Sequence, residues 1–263
     1  MNEDQKYFFD VTGYLVLEDL LTHDHCEQLV EAINRIAETP VAQLPKGVSH
    51  STPSPNEIGV GDLTSADPIF ANLIDLPPVI DILKAIINPK LRLEISYARI
   101  RRQGYAGLEI HGGGGGADPI FSYHHFNGQI YSAHTVVAFN LTDVSEEEGG
   151  FVCIPGSHKA NFSLPLDRQG FKNGKIDASL LRSVPCKAGS AVIFTEALSH
   201  GAAPWKNDRE RVNLFYKYNH AGIKWRNFWP SKEALERMTP SQRSFYSEVG
   251  SDPREKRIPH LGR

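Results

Sequence analysis

After Gly13 the chain runs Tyr14-Leu15-Val16-Leu17, a short stretch of strand formers, and then its apolar period changes. Cys26, Leu29, Val30, Ile33 and Ala37 recur at the spacing of one helix face. Thr22 or Asp24 can cap that helix, and Pro40 falls just past its end. Residues 45–62 are rich in Pro, Gly and Ser, which predicts a long surface loop. A second helix is predicted across Val79–Ile87, entered through Pro77–Pro78 and stopped before Pro89. From Leu91 to about residue 220 the pattern becomes short runs of β-branched and aromatic residues bounded by Gly, Asn and Pro, as in a β-sandwich or barrel. Beyond Trp229 helical spacing returns, with Ser231 and Thr239–Pro240 as helix starts. No repeat or linker divides the chain. Residues 1–263 are therefore expected to form one domain, mainly β, with a strand core at about 91–220 and helices outside it.

Composition narrows the function classes. A net charge of −3 over 263 residues gives no reason to expect nucleic acid or an acidic membrane as partner. The three cysteines, Cys26, Cys153 and Cys186, are odd in number, far apart and without a CxxC pair. That argues against a disulfide framework and a zinc-thiolate site, and fits a reducing compartment. The start, MNEDQKYFFD, is unlike a targeting peptide, and the longest apolar runs are far short of a membrane span. A cytoplasmic protein is expected.

The chemistry concentrates in GSAVIFTEALSHGAAPWKNDRERVNLFYKY. A strand starting near Ser190 is expected to deliver His200 at its end, and eleven residues later Arg211 opens the next strand. An enzyme that uses iron and 2-oxoglutarate needs such a pair. The metal takes neutral imidazoles on one face, and the far carboxylate of the keto acid takes a planar, bidentate cation. Alternatively, His200 is structural and Arg211 pairs with Glu210 or Asp208. Glu196 lies four before His200, on the same face if the strand continues. At roughly 3.3 Å per residue the two are too far apart to share a metal without a bulge. Glu196 is therefore assigned a catalytic part, touching substrate or bracing the ligands.

The segment LTDVSEEEGGFVCIPGSHKANF, with the opening GYLVLEDLLTHDHCEQLVEAI, resembles the phytanoyl-CoA dioxygenase family from about Gly13 to about Tyr218. The resemblance implies a double-stranded β-helix (jelly-roll, cupin-like) core, Fe(II) as cofactor and 2-oxoglutarate as co-substrate. It also implies oxidation, most simply hydroxylation, of a small-molecule substrate with release of succinate and CO2. Thr135–Leu141 and Phe151–Ile154 are expected to form a hairpin around an acidic turn ending at Gly149–Gly150. Pro155, Gly156 and Ser157 would order the substrate loop, and His158 would brace it. The family's His-x-Asp is not present as such. Either His111 is the first ligand with Gly113 in the carboxylate position, or SYHHFNG supplies His124 or His125 with Asn127 as a neutral stand-in. The expected metal set is His111, His124 and His200, with Arg211 and Asn127 as cofactor-binding residues and Asp118 or Glu196 as a nearby anion.

Other features take plainer readings. Gly112–Gly116 suits a mobile lid beside His111. His134 reads as a core histidine, Trp205 as packing for its turn, and Arg99, Arg101 and Arg102 as a solvated strand face with an anionic substrate as the alternative. Two other functions stay open: a cupin-type metal enzyme with three histidines and no 2-oxoglutarate, and an iron-free binding module. Substrate identity and oligomeric state have no readable code.

Overall fold

The computed structural model of the protein describes residues 1–114, 118–165, 177–226, 228–247 and 249. Seven strands make the larger sheet, in the order β1 (Tyr14–Leu17), β11 (Ala191–Thr195), β8 (Thr135–Asn140), β13 (Arg211–His220), β4 (Leu91–Arg101), β3 (Glu57–Gly61) and β2 (Ser49–Ser54). Four make the smaller: β10 (Arg182–Ser183), β9 (Gly150–Cys153), β12 (His200–Ala203) and β5 (Leu108–His111). β6 (Tyr123–Phe126) and β7 (Gln129–Ser132) pair as a separate hairpin. Pairing is antiparallel throughout these strands.

Period-2 alternation gives the larger sheet two apolar faces. On β8, Val137 and Phe139 join Ile193, Leu214, Tyr216 and Ile100 in a core shared with the helices. That core takes Phe9 from α1 (Glu3–Thr12), Leu29 and Ile33 from α2 (His23–Glu38), and Leu83 and Ile86 from α5 (Pro77–Ile86). The alternate residues Val136 and Ala138 pack with Val192 and Phe194 against Phe151 and Cys153 of the smaller sheet. Each side chain buried this way contributes about 1.5–3 kcal/mol, so both faces hold the strand register in which the site is built.

Local chemistry explains the element ends. Thr22 caps α2, its hydroxyl accepting the His25 N–H at 3.2 Å, and Pro77 opens α5. Short helices α3 (Leu63–Ala66) and α4 (Pro68–Ala71) follow β3. α6 (Lys232–Arg237) and α7 (Pro240–Ser244) start at Ser231 and Thr239 as expected. Among the described residues, no helix is long and apolar enough to cross a membrane.

Three expectations are corrected here. Residues 45–62 are not a plain loop, since they hold β2 and β3. The alternation that would announce β3 is hidden because two of its positions are Gly59 and Gly61, while Val60 is buried in the core. Helix α1 was not expected; Asn2 and Gln5 close a capping box at its start. Thr135–Leu141 and Phe151–Ile154 do not form a hairpin, because β8 and β9 belong to different sheets and the acidic turn crosses between them.

Candidate active site

His111 ends β5 and His200 begins β12, and the two are cross-strand partners. Their ring centroids stand 4.2 Å apart. Each ring is aimed by the same device: Nδ1 donates to the carbonyl two residues earlier, Glu109 for His111 at 2.9 Å and Leu198 for His200 at 2.7 Å. A carbonyl only accepts, so both Nδ1 atoms carry the proton and both Nε2 lone pairs are left for a ligand. Burial pushes the His200 imidazolium down to about 4, with Glu196 opposing and His111 reinforcing. The ring is therefore neutral near pH 7, as metal binding requires.

The expected strand from Ser190 to His200 does not exist. β11 stops at Thr195, and a turn closes with the Leu198 N–H on the Thr195 carbonyl at 2.9 Å. The turn bends the chain back, so Glu196 and His200 are brought together rather than spread along one strand. Glu196 Oε2 lies 4.0 Å from His200 Nε2. One donor atom each from His111, Glu196 and His200 falls within 4.8 Å of the other two. The other carboxylate oxygen, Oε1, accepts from Lys217 Nζ at 2.5 Å. Burial opposes ionisation of Glu196, but the Lys217 ammonium, with His200 and His134, outweighs it and holds the carboxyl down to about 2.

His124 and Asn127 are not brought to this group, which corrects their assignment. His124 is exposed on β6, paired with Tyr131 in the separate hairpin. Asn127 and Gly128 are that hairpin's two-residue turn, both at positive φ, the role for which Asn-Gly is suited. Asp118 is also spent locally, accepting the Ile120 N–H at 3.1 Å.

Gly112 and Gly113 are packed backbone rather than free lid. Both have positive φ, and a Cβ on Gly112 would stand 2.6 Å from the Leu198 carbonyl oxygen and 2.7 Å from that of Glu196. Gly115 and Gly116 lie outside the described residues. Ser157, expected to order a substrate loop, instead ties the two histidine segments together. Its hydroxyl accepts the Ser199 N–H at 2.8 Å and its carbonyl accepts the Gly114 N–H at 2.9 Å. His158 braces the same loop through Nε2 to the Asp10 carbonyl at 3.0 Å.

Between the two sheets the cavity continues from the histidines past Phe151, Phe194 and Phe215 to Asn140, Asn213 and Arg211. Arg211 is 3% exposed, and its Nε and Nη1 have no hydrogen-bond partner. Burial, and Arg101 beside it, lower the guanidinium to about 9, so it stays charged near pH 7. The alternative pairing of Arg211 with Glu210 is not made: Glu210 binds Arg102 at 2.8 Å. Arg101 is not solvated either. It is buried and donates to Glu57 at 3.1 Å, while Arg99 lines the cavity 3.8 Å from the same carboxylate. No signal in the sequence marked Glu57 or Lys217, because each partner lies far away along the chain.

These residues fit a metal ion and a dicarboxylate co-substrate. Two imidazole Nε2 atoms on facing strands suit a ferrous ion, and a buried guanidinium with two unpaired N–H donors in the same cavity suits a dicarboxylate. A jelly roll with this cavity is the architecture of the Fe(II)- and 2-oxoglutarate-dependent oxygenases. Residues 9–213 match the model of the phytanoyl-CoA dioxygenase (PhyH) family, and the chain belongs to that family. It is 23% identical to the ectoine dioxygenase of Bordetella parapertussis, across 83% of this chain and 75% of the relative. HygX from Streptomyces hygroscopicus, solved with nickel and 2-oxoglutarate, superposes with a TM-score of 0.72 at 26% identity, across 86% of this chain and 90% of that one. The epimerase SnoN, in complex with Fe3+, alpha ketoglutarate and nogalamycin RO, shares the fold at a TM-score of 0.63 and 18% identity, across 95% and 92%. The protein is an Fe(II)/2-oxoglutarate-dependent oxygenase.

Proposed function

We propose that the protein hydroxylates a small-molecule substrate, with His111 and His200 holding the iron and Arg211 holding 2-oxoglutarate. The observation that carries this reading is Arg211: a buried guanidinium with two unpaired N–H donors calls for an anion. Ferrous iron with 2-oxoglutarate and dioxygen supplies oxidative decarboxylation to succinate and CO2, coupled to oxidation of the substrate.

The chain's own part is to position and to exclude water. Arg211 and Arg101 are register partners on β13 and β4, and the distal carboxylate would meet Arg211 in the cavity that both line. Phe151, Phe194 and Phe215 line the same cavity, and within its wall Asn213 donates to Asn140 at 2.6 Å. Hygromycin B in HygX and nogalamycin RO in SnoN support a small molecule as substrate. Three free, buried cysteines support a reducing compartment, which favours the cytoplasm.

The test is an anaerobic titration with Fe(II) and 2-oxoglutarate, following the visible charge-transfer band of the chelated keto acid. A band that Arg211→Ala forms only at much higher keto acid supports the reading. A protein that binds iron but gives no band would return the three-histidine, keto-acid-free class.

A further inference from the structure

The iron reading leaves one buried carboxylate without a role. Glu196 is 6% exposed, and its turn is not a place where the resemblance puts a metal ligand. Three observations bear on it. The first is reach: among the described residues, His111, Glu196 and His200 are the group whose donor atoms approach within 4.8 Å of one another.

The second is the packing of the turn against the glycines. Gly113 occupies the position where a carboxylate was expected, and it has no side chain to offer. The space beside its neighbour Gly112 is filled by the backbone of the turn, with the Glu196 and Leu198 carbonyl oxygens closer than a Cβ would tolerate. The glycines and the Glu196 turn are therefore complementary shapes. No side chain comes from positions 112 and 113, and the Glu196 carboxylate lies beside both imidazoles.

The third is orientation. Lys217 takes Oε1, which leaves Oε2 as the oxygen nearest His200 Nε2. A monodentate carboxylate ligand needs its second oxygen held in this way. Charge agrees. The cavity is lined by Arg99, Arg101, Arg211 and Lys217 against two carboxylates, Glu57 and Glu196, and Glu57 already faces both Arg101 and Arg99. A dication held by imidazoles alone would add to that excess.

We infer that Glu196 is the carboxylate ligand of the metal centre, delivered from the β11–β12 turn in place of a side chain at position 113 and locked by Lys217. The identity of the metal as iron rests on the oxygenase reading; the ligand role does not.

The experiment is calorimetric titration of the full chain with Fe(II) and with Co(II), anaerobically and without keto acid, with the ligand-field absorption of Co(II) as a second readout. Glu196→Gln keeps the size and an acceptor for Lys217. It should weaken both metals by about tenfold or more and change the Co(II) bands. In Glu196→Ala, added formate should recover part of the affinity by taking the vacated position. Metal affinity and Co(II) bands in Glu196→Gln indistinguishable from the unsubstituted protein, with His200→Ala abolishing both, would reduce Glu196 to a partner of Lys217 and overturn the inference. Should Glu196→Ala fail to fold, the Glu196→Gln result decides alone, with thermal unfolding as the folding control. The two readings fail separately. Metal binding that depends on Glu196 but gives no keto-acid band overturns the oxygenase, and a normal band in Glu196→Gln with unchanged metal affinity overturns the ligand role. No metal bound by the unsubstituted protein overturns both.

Discussion

His111 and His200 face each other across the β5–β12 register, and the Ser157 residue that braces them belongs to neither strand. One hydroxyl and one carbonyl of Ser157 reach Ser199 N–H, next to His200, and Gly114 N–H, three beyond His111. The Pro-Gly-Ser-His segment thus braces the two histidine-bearing segments rather than a distant loop.

Ser157→Ala keeps the backbone contact and removes the hydroxyl, leaving the part-buried Ser199 N–H without its acceptor. The cost to stability should be about 1–3 kcal/mol, and Fe(II) affinity should fall by about tenfold. Thermal unfolding and anaerobic iron titration read the two effects. Unchanged iron affinity would show that the histidines hold their places without this brace.

Arg211→Met should separate stability from function. In the protein free of keto acid, Arg211 buries a cation with two unsatisfied donors, and an apolar chain of similar length removes that cost. The variant should be more stable than the parent by about 1–3 kcal/mol. Added 2-oxoglutarate should raise the melting temperature of the metal-loaded parent and leave that of the variant nearly unmoved. Equal gains in both proteins would remove Arg211 from keto-acid binding.

How far the sequence could be read follows from how far each signal reaches. His200 and Arg211 were visible because one loop separates them, and α2 because its stripe repeats within one helix. His111 was legible beside its glycines, whereas His124 competed with it only because both sit near glycine in short strand-like runs. The Asn127–Gly128 pair carried its own answer, since Asn-Gly between alternating residues marks a hairpin turn. Glu196 was misplaced by one assumption, that β11 continues to His200. Thr195 at the first position of a turn is compatible with either course. What decides is the fit of the turn against Gly112, a contact over more than eighty residues. Glu57 with Arg101, and Lys217 with Glu196, are likewise partners that only the sheet order brings together.

Gly112→Ala tests that contact. The position has φ of +78°, which costs a non-glycine residue about 1–2 kcal/mol. The new methyl would also press on two backbone carbonyl oxygens that cannot rotate away. The turn should shift and carry Glu196 with it. We expect weaker metal binding together with a loss of about 2 kcal/mol or more in stability, read by Co(II) titration and denaturant unfolding. A variant with full metal affinity would mean that the turn holds its place without the glycine.

His158 predicts a pH dependence away from the metal centre. It is 2% exposed, its Nε2 donates to the Asp10 carbonyl, and the Tyr123 ring stands edge-on to it at 4.6 Å. Burial, with Lys159 adding to it, pushes the imidazolium down to about 4; the contacts with Asp10 oppose this and do not prevail. The folded state therefore keeps His158 neutral where the unfolded chain, near 6.5, takes up a proton. Its contribution is fully present above pH 6.5 and is lost as pH falls toward 4, by about 3 kcal/mol across that interval. His158→Phe removes the proton site, so the difference in unfolding free energy between the two proteins should change by that amount between pH 7 and pH 4. Subtracting the two cancels His200, which titrates in the same direction. Parallel stability curves for parent and variant would show that His158 does not titrate in this window.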